Sequence, residues 1–131
     1  MYKKTINYTD YDGNQRTEDF YFNLNQTELK EMELSTAGGF AAKVDRIVAA
    51  LDMPEIYAAF KEIVFRAYGE KSADGKYFEK SEALSVRFSH TEAYNVLMEE
   101  ITSSADAAAA FINGVIPQPA PNDPVPAPAV R

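Results

Sequence analysis

The sequence predicts an α+β fold: an N-terminal antiparallel β-hairpin packed on a mainly α-helical bundle of five or six helices, followed by a disordered C-terminal tail. Three observations predict it. Residues 4–24 alternate apolar and polar side chains on either side of Asp12-Gly13, the period of strands around a turn. From Asn25 onward the apolar spacing lengthens to that of helices, and residues able to cap a helix precede several of the apolar stretches. Five of the seven prolines lie from Pro119 onward, where neither a helix nor a ladder can be sustained. The expected organisation is one α+β domain over residues 1–116, with the hairpin at 1–24 and helices at 25–116. A Pro/Ala-rich tail follows at 117–131.

The hairpin arms are read as Lys4 to Thr9 and Arg16 to Leu24. A two-residue Asp-Gly loop would oppose Ile6 to Asp19 and Tyr8 to Thr17, mixing apolar with polar on one face. The apolar positions of both arms are even-numbered, so an odd loop keeps them together. The prediction is a three-residue loop, Tyr11-Asp12-Gly13, with Gly13 in the left-handed region.

Leu24-Asn25-Gln26-Thr27-Glu28-Leu29 starts the first helix: Asn25 caps, Glu28 completes a capping box, and Leu24 and Leu29 staple it. It is expected to run to Leu34 and to break at Gly38-Gly39. A second helix spans Phe40 to Leu51 with a stripe of Phe40, Val44, Ile47, Val48 and Leu51. Asp52 caps a third, with Pro54 in its first turn and Gly69 expected just past its end. Ile56, Phe60, Ile63, Val64 and Ala67 form its stripe, Tyr57 and Tyr68 lie at one edge, and Phe65 falls outside.

Residues 70–78 read as a polar connection turning at Asp74-Gly75. A helix over Ser81 to Phe88 follows. Ser89-His90-Thr91-Glu92 reads as a capping box for a helix carrying Tyr94, Leu97, Met98 and Ile101. Ser103 or Ser104 then caps an alanine-rich helix from Ala105 to Asn113, which Gly114 is expected to end. The hairpin is expected to meet the helices through Ile6, Phe20, Phe22, Phe40, Ile47, Phe60 and Ile63.

Composition narrows the function. The 131 residues carry 13 basic and 20 acidic side chains, a net charge of −7, which is no footprint for nucleic acid. With no Cys and one His, thiolate and multi-histidine metal sites and a cysteine nucleophile are excluded. No metal site, cofactor or catalytic residue is expected. His90 reads as a surface residue beside a helix start. Asp10-Tyr11-Asp12-Gly13-Asn14 has its glycine two places too early for a calcium loop, and reads as a turn. The N-terminus lacks the apolar core of a signal peptide, and no apolar run approaches the roughly 20 residues that span a bilayer. Eight Phe and eight Tyr are a heavy aromatic load. Tyr57, Tyr68 and Tyr94, amphipathic at stripe edges, are the kind of residue that interaction surfaces use.

Several stretches taken together resemble a family of bacteriophage tail assembly chaperones, from long-tailed phages and prophages of Gram-positive hosts. The resemblance runs from Lys4-Thr5-Ile6-Asn7-Tyr8-Thr9-Asp10-Tyr11-Asp12-Gly13-Asn14 through Glu18-Asp19-Phe20-Tyr21-Phe22-Asn23-Leu24. It continues in Phe60-Lys61-Glu62-Ile63-Val64, Tyr68-Gly69-Glu70-Lys71-Ser72 and Asp74-Gly75-Lys76-Tyr77-Phe78. It closes with Thr91-Glu92-Ala93-Tyr94 and Ala110-Phe111-Ile112-Asn113-Gly114-Val115-Ile116-Pro117. The recognised pattern ends there and leaves out the tail.

The resemblance implies a non-catalytic protein that binds the phage tape measure protein while the tail tube assembles, with the tail-tube protein as a further candidate partner. It implies action in the host cytoplasm and departure before the mature virion. The expected contact residues are Tyr57, Val64, Phe65, Tyr68 and Tyr94. Retention in the virion as a tail or head-tail component, or binding to a host protein, are the alternative roles.

Overall fold

Strand β1 (Tyr2–Thr9) and strand β2 (Gln15–Phe22) pair antiparallel, with Tyr8 opposite Arg16, Ile6 opposite Glu18, Lys4 opposite Phe20 and Tyr2 opposite Phe22. This computed structural model describes residues 1–116. The loop is the predicted odd one. The Asp10 N–H donates to the Asn14 carbonyl at 2.9 Å, the Gly13 N–H to the Asp10 carbonyl at 3.0 Å, and Gly13 adopts φ 84°. The Asp10 carboxylate locks the turn by accepting from Arg16 Nε at 2.5 Å and from the backbone N–H groups of Asp12 and Asn14 at 2.9 Å.

Even-numbered side chains face inward, as the parity requires, yet the face is not uniformly apolar. Ile6 is 2% exposed, whereas Lys4 reaches across to Glu100 and Tyr8 donates to Glu18 at 2.7 Å. Leu24 lies beyond β2, with its N–H bonded to the Val115 carbonyl.

Helix α1 (Gln26–Ser35) begins with the full capping box of Asn25 and Glu28. Helix α2 (Phe40–Ala49) starts after Gly39, and Glu33 accepts from the Ala41 N–H at 2.7 Å in place of a capping side chain. It stops short of the expected Leu51 because that residue turns left-handed, φ 55°. Asp52 caps helix α3 (Met53–Ala67). Gly69 was expected just beyond this helix in a helix-ending role. Instead α3 gives way at once to strand β3 (Tyr68–Lys71), which pairs with β2. Glycine is required at 69 for a different reason: a Cβ would meet the Glu79 carbonyl oxygen at 2.6 Å and the Phe78 ring at 2.7 Å.

The polar connection turns at Asp74-Gly75 and returns as strand β4 (Phe78–Glu79), giving a four-stranded sheet in the order β1-β2-β3-β4. Lys80 leaves this sheet and donates to Glu28 at 2.6 Å, to the Arg66 carbonyl at 2.9 Å and to the Asn23 carbonyl, tying β2, α1 and α3 together.

Helix α4 (Glu82–Ser89) is capped by Ser81, helix α5 (Glu92–Ile101) by Thr91 and helix α6 (Ala105–Val115) by Ser104. Thr91, rather than Ser89, caps α5: Ser89 is the last residue of α4, and it is the Thr91 hydroxyl that accepts from the Tyr94 N–H at 3.2 Å. Gly114 does not end α6 but lies inside it. A Cβ there would meet the Tyr2 ring at 2.2 Å, so the residue makes room for β1.

The core gathers around Phe22, which is fully buried. Its ring meets Tyr68, Phe88 and Phe111 at centroid distances of 5.8, 5.8 and 5.6 Å. Phe88 stacks on Tyr68 at 4.3 Å and an interplanar angle of 5°. The hairpin therefore meets the second half of the chain through these rings. The expected contacts with Phe40 and Ile47 give way: their helix α2 packs on α1 and α3, since pairing of β2 with β3 turns the hairpin's aromatic edge toward α4 and α6.

Candidate binding surface

The five residues expected to form the contact edge do not share one surface. Val64 is fully buried and Tyr68 is 8% exposed, because both belong to the core that β2 closes. In this fold their side chains face the interior, Val64 from α3 and Tyr68 from the start of β3. Phe65 is half-buried and meets Tyr94 edge-on, 6.3 Å between centroids and 82° between planes. Lys61 stands 5.5 Å from the Phe65 ring. Tyr57 is 43% exposed and takes a 3.2 Å hydrogen bond from Thr102. Burial raises the pKa values of Tyr68 and Tyr94, with Glu70 adding to the effect at Tyr68. Tyr57, Phe65 and Tyr94 thus join α3 to α5 more than they offer a continuous face.

An apolar groove opens elsewhere. It lies between α1, α2, α3 and α6 and has a volume of about 660 Å³. Leu29 and Met32 form its α1 wall, Val44 and Val48 its α2 wall, and Phe60 and Ile63 of α3 lie in its lining. Ala105, Ala108, Ala109 and Ile112 bring α6 along the remaining side, and Ile116 lines the groove just past the end of that helix. Carboxylates of Glu33 and Asp45 are the ionisable groups in the lining. Small alanines on α6 explain why the groove stays open: a methyl side chain cannot reach across to α2.

Two signals for this groove lie in the sequence, though the stripe pattern alone does not resolve them. The α2 stripe carries more apolar residues than its neighbours cover, leaving Val48 39% and Leu51 77% exposed. The alanine run of α6 supplies an apolar face with little volume. Among the described residues no group of three or more His, Asp or Glu could hold a metal ion, and no helix is long and apolar enough to cross a membrane. His90 is exposed, and its carbonyl accepts from Tyr11 at 3.1 Å.

A sheet-edged helical domain with an open apolar groove has the form of a protein-binding module, in which apolar area supplies affinity. The model of the phage tail assembly chaperone family matches residues 1–122, and the chain belongs to that family. Comparison with curated proteins and with solved structures gave no match. Membership places the chain in phage tail assembly and implies contact with phage tail proteins, in a family that is generally non-catalytic.

Proposed function

We propose that the protein is a non-catalytic chaperone that binds the tape measure protein transiently while the tail tube assembles, acting in the host cytoplasm and leaving before the virion is complete. The observation that carries the reading is the apolar groove of α1, α2, α3 and α6 in a chain of this family. A long helical client exposes apolar stripes until the tube encloses it. A groove about as long as three turns of α6, or roughly 16 Å, can cover one stripe of an amphipathic helix. The net charge of −7 keeps such a complex soluble and favours basic flanks on the client segment. The tail-tube protein is the further partner, reached through the same assembly.

Capture of purified tape measure segments tests this. Val48→Asp and Ala109→Glu put charge into the groove at exposed positions and should reduce capture at least tenfold with an unchanged melting temperature. Phe65→Ala and Tyr57→Ala probe the α3–α5 side in the same assay. Loss of capture only in the second pair would move the client to that side, and unchanged capture in all four folded variants would sink the reading. Mass spectrometry of purified particles tests departure: the protein should be absent.

A further inference from the structure

We infer that Asp45 selects the occupant of the groove: a helix whose bulky apolar stripe fills the alanine-rich walls and whose flank carries a lysine or arginine that pairs with this carboxylate. The inference rests on the reading above and adds to it the chemistry of the client segment and the residue that reads it.

The α6 and α2 walls of the groove differ. On α6, Ala105, Ala108, Ala109, Ile112 and Ile116 follow a helical stripe of about three turns, or roughly 16 Å, without a charge. On α2, Ala41, Val44, Val48 and Ala49 make a second stripe of the same period, and Asp45 stands in its middle. Small side chains on both walls leave room for large ones between them, because packed helices interdigitate ridge into groove. Leucine, methionine or phenylalanine is therefore the complement, presented on a helix of matching period.

Asp45 is the carboxylate left over in this lining. The lining holds two acidic residues and no basic one. Glu33 is already engaged, accepting from the Ala41 N–H at 2.7 Å where α2 begins. Asp45 is exposed, and its side chain makes no hydrogen bond or ion pair among the described residues. On a helix, the neighbours that can pair with a side chain stand three or four places away. For Asp45 these are Ala41, Ala42, Val48 and Ala49, and none is charged. Lys43 and Arg46 share the helix but lie outside the groove's lining.

An occupant that covers the α2 wall takes Asp45 out of water, and a carboxylate buried without a partner is costly. A cationic flank is accepted there, and an apolar or acidic one is rejected. One residue thus supplies both attraction and exclusion. Net charge acts differently: it draws any basic segment from a distance and is screened by salt.

Two synthetic helices of about eighteen residues, long enough to hold a helix, test this by fluorescence anisotropy with the full chain. Both carry leucines at i, i+3, i+4, i+7 and i+11. One has lysine on both flanks of the stripe and its twin has glutamate, so either direction of docking brings the same charge to Asp45. The lysine helix should bind. Asp45→Lys should weaken it about fivefold or more and strengthen the glutamate twin. Asp45→Asn, neutral and close in shape, should give a smaller loss. Glu99→Lys makes the same change of charge at an exposed site on α5, outside the groove, and should alter either affinity less than about twofold. All three variants stand at exposed positions and should melt as the parent does. Equal effects of Asp45→Lys and Glu99→Lys would reduce the preference to net charge and overturn the inference. Failure of the lysine helix to bind would overturn it too. In capture of tape measure segments, loss with Val48→Asp but not with Asp45→Lys would keep the groove as the client's site and remove only the selecting role of Asp45.

Discussion

The two sides of the molecule treat their apolar residues differently. On the hairpin side, Phe22, Tyr68, Phe88 and Phe111 interlock with Tyr2, and every one of the first four is at most 8% exposed. On the α1–α2 side, Phe40 and Met32 are buried, but Val48, Leu51 and Leu34 stand open at 39%, 77% and 79%. Both sides carry similar chemistry, so composition does not separate them. The number of elements covering each does: the sheet, α4, α5 and α6 close over the first, whereas among the described elements α2 packs closely on α1 and α3. A closed side supplies stability, and an open one leaves apolar surface uncovered.

The largest expected effect breaks the closed side. Phe22→Ala removes the ring on which three others converge and should cost about 3–5 kcal/mol in denaturant unfolding. A loss below about 1 kcal/mol would contradict its central place.

Gly114→Ala comes next. Alanine is the better helix former by up to about 1 kcal/mol, but its methyl would overlap the Tyr2 ring, so net destabilisation of about 1–3 kcal/mol is expected. The sign should reverse in a Tyr2→Ala background, where the ring that the methyl overlaps is gone. Destabilisation that persists there would show that the helix itself, not the ring, resists the change.

On the open side, Leu51→Gly should do the opposite of a core substitution. Leu51 holds a left-handed conformation with its side chain 77% exposed, so glycine relieves up to about 1 kcal/mol of strain and forfeits little packing. If stability rises while client capture falls, the strained leucine serves the interaction. If stability falls by more than about 1 kcal/mol, Leu51 packs more firmly than its exposure indicates.

The smallest effects are those of pH, and they fall on the hairpin. The hydrogen bond to Glu18 raises Tyr8 to about 12 from its ordinary 10.0. The neutral phenol is the form the fold favours, so this stabilisation is complete below about pH 10 and is lost as pH rises to about 12. Arg16, with the Asn14 and Asp12 N–H groups, holds Asp10 below its ordinary 3.8. That contribution is present above this value and disappears as pH falls below it. Tyr8→Phe should abolish the alkaline loss and Asp10→Asn the acidic one, each read by thermal melts across pH. Unaltered profiles would show that neither group governs the hairpin.

How legible each part was in the sequence follows from the range of the forces involved. The odd loop of the hairpin was readable from the parity of Ile6, Tyr8, Phe20 and Phe22, because alternation and turn geometry are local. Several helix starts were readable for the same reason: Asn25 and Asp52 satisfy N–H groups three residues away. Thr91 instead of Ser89 at the start of α5 was a near miss, because α4 runs on through Ser89 and a new helix can begin only beyond it. The contact residues were less legible. Val64 and Tyr68 have the side chains of an interaction edge, yet strand pairing that begins at Tyr68 draws both inside.

By itself, then, the sequence determined the α+β class, the hairpin register, several of the caps and the family, since each rests on spacing along the chain or on ordered local patterns. The tertiary structure alone decided three things. It turned Tyr68–Lys71 into a third strand, because β2 offered an edge that a helix end could not use. It made Gly114 a space for Tyr2 rather than a stop signal. And it left the α1–α2–α3–α6 groove open, because whether an apolar stripe is covered depends on which elements arrive beside it, and residues as far apart as Leu29 and Ile112 meet only in the folded chain.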